Sequence, residues 1–135
     1  MYSHILVPLA PDHGEVSAKS MEVARALLAE GGKVSVLTVI EAIPAYVAQY
    51  LPRDQEDRNR QETHAELAAE FAGQPDVTVL VQVGHAAQAI LDVAKEGGHD
   101  CVVIASHRPG LQDYLLGSTA ARVVRHAQCG VHVLR

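Results

Sequence analysis

The feature that most limits how this chain can fold is an alternation. Short apolar runs recur along it, and between them lie segments with helical spacing. Ser3 to Pro8 is the first run, apolar and stopped by proline, which reads as a buried strand. Pro11 to Gly14 is a loop, and Glu15 to Glu30 follows as a helix. There Val16, Met21, Ala24, Leu27 and Leu28 share one face, with Lys19, Glu22 and Arg25 mostly opposite. Gly31 and Gly32 are expected to close that helix as a left-handed cap. Lys33 to Ile40 is a second strand, rich in β-branched residues.

The stretch from Glu41 to Arg53, bracketed by Pro44 and Pro52, reads as a loop with some helical turn. Its Tyr46, Tyr50 and Leu51 suit a lid, a partner surface or ordinary loop packing. A second helix runs from Asp54 to Phe71, charged at its start and alanine-rich at its end. Val77 to Val83 is a third strand ended by Gly84, and Ala86 to Lys95 a third helix closed by Gly97 and Gly98. Asp100 to Ser106 is a fourth strand, Leu115 to Arg125 a fourth helix and Gly130 to Leu134 a fifth strand. Strictly alternating strands and helices imply a parallel sheet covered on both faces, with right-handed crossovers. Ligands of such sheets sit outside the carboxyl ends of the strands, near the switch point. That rule selects residues 8–12, Ile40 and Glu41, Gly84, and residues 106–117.

Length and composition narrow the classes. A chain of 135 residues, 48% apolar, suits one domain over residues 1–135. With one Phe and no Trp, its core must come from Val, Leu, Ile and Ala. The net charge of -5 and the scattered basic residues give no nucleic-acid footprint. No apolar stretch is long enough to cross a bilayer, and Met1 to His4 leads straight into a strand without a signal-peptide pattern. The cytoplasm is therefore the expected address. Cys101 and Cys129 form no disulfide framework, and the eight histidines lack the close spacing of a zinc site. A P-loop and a G-x-S-x-G elbow are both absent.

The stretch richest in chemistry begins at Ile104-Ala105-Ser106-His107-Arg108-Pro109-Gly110 and continues at Leu115-Leu116-Gly117-Ser118-Thr119. It runs strand, loop, then Gly-Ser-Thr into a helix. A helix start offers unpaired N–H groups and partial positive charge. Gly117 admits an anion close to the backbone, Ser118 and Thr119 add hydroxyls, and His107 and Arg108 bring positive charge. These suit a phosphate cradle. The same residues also suit an ordinary helix cap, and the residues alone favour that plainer reading.

Leu115-Leu116-Gly117-Ser118, then Val123-Val124-Arg125-His126-Ala127 and Cys129-Gly130-Val131, resembles the ending of the universal stress protein family. Tyr2 to Pro8 resembles its first strand and Thr38-Val39-Ile40 its second, so the match spans the chain. Ala-Ser-His-Arg-Pro before Leu-Leu-Gly-Ser resembles a short subgroup of that family. Ala10 stands where an acidic residue is usual, Ala105 and Arg108 where glycines are usual, and Ala86 where proline is common.

The resemblance implies an open five-stranded parallel sheet of order 3-2-1-4-5, adenine nucleotide alpha hydrolase-like. It implies a site for ATP or AMP, with Mg²⁺ accompanying ATP. Val39 would offer backbone hydrogen bonds to adenine, with Pro8, Leu9 and Ala10 lining the base. Ala105, His107 and Arg108 would flank ribose and phosphates, beside Ser106, and Gly117, Ser118 and Thr119 would hold phosphates. Gly84 joins the set through its place on the carboxyl edge. A homodimer through Val131 to Leu134 is implied as well.

The expected function is a stress-responsive regulator that binds nucleotide and acts on a protein partner. One alternative is a slow ATPase or self-phosphorylating protein with Ser118 or Thr119 as acceptor. Another is a nucleotide-free partner-binding module, suited by Ala10, Ala105 and Arg108.

Overall fold

The computed structural model describes residues 1–106 and 116–135. In chain order the elements are β1 (Tyr2–Pro8), α1 (Val16–Leu27), β2 (Leu28–Ile40), α2 (Ala45–Ala48) and α3 (Gln55–Glu70). They continue with β3 (Val77–Val83), α4 (Ala86–Glu96), β4 (Cys101–Ala105), α5 (Ser118–His126) and β5 (Gly130–Leu134). The strands form one parallel sheet in the order β3-β2-β1-β4-β5.

Burial on both faces explains the unbroken apolar runs. Ile5, Leu6 and Val7 are consecutive in β1, and all three are fully buried. Successive side chains point to opposite faces, so two cores form. Ile5, Val7, Val34, Val36 and Val103 pack beneath Met21 and Ala24 of α1 and Leu67 of α3. Leu6, Leu37, Val39, Val102 and Ile104 pack beneath Ile90 of α4 and Val123 of α5. Each such side chain contributes about 1.5–3 kcal/mol on burial.

The helix expected to run to Glu30 ends at Leu27. Leu28 turns extended (φ -81°, ψ 133°), and Tyr2 pairs with it in the sheet. The register then shifts before His4 meets Lys33. Gly31, at φ 77°, sits in this irregularity and not at a helix cap. Packing overrides helix propensity here. Leu28 rests against the first core, and a Cβ on Gly32 would lie 2.6 Å from its Cδ1 and 2.9 Å from the Ala29 carbonyl oxygen. The expected turn between Pro44 and Pro52 is present as α2. The fourth helix begins at Ser118, and Leu115, its expected start, lies outside the described residues.

The amino end of the sheet is tied by one carboxylate. Asp100 accepts from the Ser3 backbone N–H at 2.9 Å, the Ser3 hydroxyl at 3.0 Å and the His4 N–H at 3.0 Å. Although burial opposes it, those donors hold the Asp100 carboxyl below its ordinary value.

A candidate ligand site at the switch point of the sheet

The crossover from β1 leads one way to β2, and β4 lies on the other side. β1 and β4 share register only at Ile5–Cys101 and Leu6–Val102. Beyond those pairs the two strands part, and a cavity of about 660 Å³ opens between their carboxyl ends. That volume falls in the range of small-molecule pockets, about 300–1,000 Å³.

Three walls come from the expected residues. Pro8, Leu9 and Ala10 leave β1, Val39 lies next to the last residue of β2, and Ala105 ends β4 with Ser106 just beyond it; all line the cavity. So do Gly117, Ser118 and Thr119 at the start of α5. Two backbone bonds place that start. Ser106 N–H donates to the Leu134 carbonyl at 2.7 Å, extending the β4–β5 ladder, and Gly117 N–H donates to the Ser106 carbonyl at 2.6 Å. Gly84 is not among the lining residues. Its N–H donates to the Ile40 carbonyl at 2.9 Å, on the β3 side of β2. His107 and Arg108 lie outside the described residues.

Residues not expected to line the site complete the cavity. Ala86 and Ile90 enter from α4, His13 from the loop after β1 and Val16 from the start of α1. Ile90 reads in the sequence as one more apolar position on a helix face. His13 carried a stronger signal, since it sits in the loop after β1.

The cavity is polarised. Near β1 the carbonyls are already engaged. The Leu9 carbonyl accepts from the Thr38 hydroxyl at 3.0 Å. The Ala10 carbonyl accepts from the His13 N–H at 3.1 Å and faces His13 Nδ1 at 2.7 Å. That wall offers a ligand mainly apolar surface, with Leu9 and Val39 buried.

One backbone edge is placed differently. The Leu37 carbonyl accepts from Leu9 N–H at 2.8 Å. Backbone groups alternate sides along a parallel strand, so Val39 turns its own toward the same side, where β1 has left the sheet. Opposite, the first N–H groups of α5 have no acceptor within the helix, and its N-cap, Gly117, has no side chain to cover them. The exposed Ser118 hydroxyl adds a donor. Asp12 and Glu41 place carboxylates among the lining residues.

An open parallel sheet of this order, with a cavity at its switch point, defines an α/β domain of the adenine nucleotide alpha hydrolase-like fold. The universal stress protein family model matches residues 1–135. The chain is 32% identical to universal stress protein G of Shigella flexneri over 145 aligned positions, covering all of both chains. It belongs to the universal stress protein family, proteins of the stress response.

Solved structures share the fold. Hypothetical protein MJ0577 superposes with a TM-score of 0.81 at 22% identity, over 99% of this chain and 96% of that one. A universal stress protein in complex with cAMP superposes at 0.64 and 20% identity, over 99% and 97%. Among the described residues no helix is long and apolar enough to cross a membrane, and no cluster of His, Cys, Asp and Glu could hold a metal ion.

Proposed function

We propose that this protein is a stress-response regulator that binds an adenine nucleotide, ATP or AMP, in the switch-point cavity. The observation that carries the reading is the polarity of that cavity. An apolar wall and the free backbone edge of Val39 suit a purine. The bare amino end of α5 suits a phosphate. Pro8, Leu9 and Ala10 line the base, and Ala105 and Ser106 lie beside the ribose. Gly117, Ser118 and Thr119 hold phosphate oxygens, with His107 and Arg108 supplying positive charge. Mg²⁺ accompanies ATP and offsets Asp12 and Glu41. The neighbour that holds cAMP supports a nucleotide as the ligand class.

The protein works as a homodimer. β5 is the last strand of the sheet order, and an uncovered edge invites pairing. A second copy aligning Val131 to Leu134 covers it. Nucleotide then orders the cavity walls and changes the surface offered to a protein partner.

The test is an equilibrium titration with AMP, ATP, GMP and GTP, alongside sedimentation. The reading predicts saturable binding of the adenine nucleotides, weaker binding of the guanine ones, and twice the mass of a 14.4 kDa chain. No binding of any nucleotide, by protein shown to carry none, would leave a partner-binding module in its place.

A further inference from the structure

Glu70 lies at the end of α3 and is not among the residues lining the cavity. Its Oε1 stands 2.8 Å from Nε2 of His13, which does line it. The other ring nitrogen, Nδ1, faces the Ala10 carbonyl at 2.7 Å. One imidazole thus joins the wall of the cavity to a helix on the other side of the loop. The His13 side chain is 13% exposed and that of Glu70 37%, so the contact lies at the surface with its His13 end sheltered.

The backbone around it is closed as well. His13 N–H donates to the Ala10 carbonyl at 3.1 Å, and Val16 N–H donates to the His13 carbonyl at 3.0 Å, which starts α1. α3 itself has a narrow footing on the sheet. Of its residues only Leu67 is buried, with Phe71 just beyond its end. The contact with His13 is its polar tie to the cavity loop.

We propose that Glu70 is a positioning residue for the ligand cavity. It fixes the His13 ring, and the ring holds the Ala10 carbonyl and with it the wall formed by residues 8–13. Ligand that presses on this wall is felt at α3. A wall held in one place before ligand arrives costs less to order on binding. The proposal rests on the nucleotide reading for its ligand, but not for the contact itself.

The test uses Glu70→Ala, Glu70→Gln, His13→Ala and the double variant Glu70→Ala/His13→Ala in the full chain. Two readouts are taken: amide exchange of residues 12–14 without nucleotide, and affinity for AMP by calorimetry. Glu70→Ala is expected to speed the loop exchange and weaken AMP about 5-fold, the loss of one modest hydrogen bond. Glu70→Gln keeps a group that either accepts from Nε2–H or donates to the bare nitrogen. It is therefore expected to restore both readouts to within about 2-fold. In the His13→Ala background, Glu70→Ala should add nothing. Wild-type exchange and affinity in Glu70→Ala would overturn the proposal, as would full additivity in the double variant. If the wild type binds no AMP, the nucleotide reading fails, and the loop exchange still decides the role of Glu70.

Discussion

The Thr38 hydroxyl donates to the carbonyl oxygen of Leu9 at 3.0 Å, across the gap where β1 leaves the sheet. Both polar backbone groups of Leu9 are thereby held by β2, since its N–H donates to the Leu37 carbonyl. Thr38 is 1% exposed, so its bond is made away from water. Thr38→Val keeps the shape and removes the donor, leaving a buried acceptor short of a partner. Urea unfolding should show a loss of about 1–3 kcal/mol. An unchanged midpoint would mean that the Leu9 wall is held by packing alone.

His99 gives the domain a pH dependence of known sign. Its ring is buried and lies 3.9 Å from the His4 ring. Burial first, and the neighbouring His4 second, hold its pKa below the ordinary 6.5. The unfolded chain therefore takes up a proton before the folded one does. Stability from this residue is complete above the ordinary imidazole value and drains away as pH falls through it toward the lower native value. Denaturant midpoints measured above and below that value should differ in the wild type, and differ less in His99→Leu. An equal pH dependence in both would place the effect elsewhere.

Cys101 should be a silent thiol. Burial, with Cys129 and Asp100 nearby, pushes its pKa up to about 11. Cys129 is also raised, chiefly by burial. At mildly alkaline pH the thiolate fraction of a group at that value is on the order of 100-fold below that of an ordinary cysteine. In a Cys129→Ser protein, a disulfide reagent should react with the native chain at least that much more slowly than with the unfolded chain. Equal rates would contradict the buried placement.

The sheet was legible in the chain because its strands are buried on both faces. That demand produces unbroken runs such as Ile5-Leu6-Val7 and Cys101-Val102-Val103-Ile104, and the helices between them dictate parallel pairing. The strand order came from family resemblance, and the structure has it. The end of α1 was not legible. Leu28, Ala29 and Glu30 are good helix formers, and only the packing of Leu28 against the core and the bare Gly32 make them extended.

At the site, the carboxyl-edge rule gathered Pro8, Ala10, Ile40, Ser106 and Gly117 into one cavity, and the family resemblance added Val39. It also swept in Gly84, because a rule about an edge cannot tell which strand adjoins the opening. Glu70 escaped it altogether. Its part depends on α3 ending beside the loop after β1, a long-range contact that local pattern does not carry.

The central claim is that the amino end of α5 receives the phosphate of an adenine nucleotide. Calorimetric titration of the protein with AMP and with ATP, with and without Mg²⁺, beside a Gly117→Val variant, tests it most directly. A branched side chain at the N-cap would stand between the ligand and the helix N–H groups. The account predicts saturable binding by the wild type and at least a 10-fold loss in the variant, since several charge-assisted bonds are blocked together. Equal binding by the two proteins would contradict the cradle. No heat from the wild type would contradict the nucleotide itself.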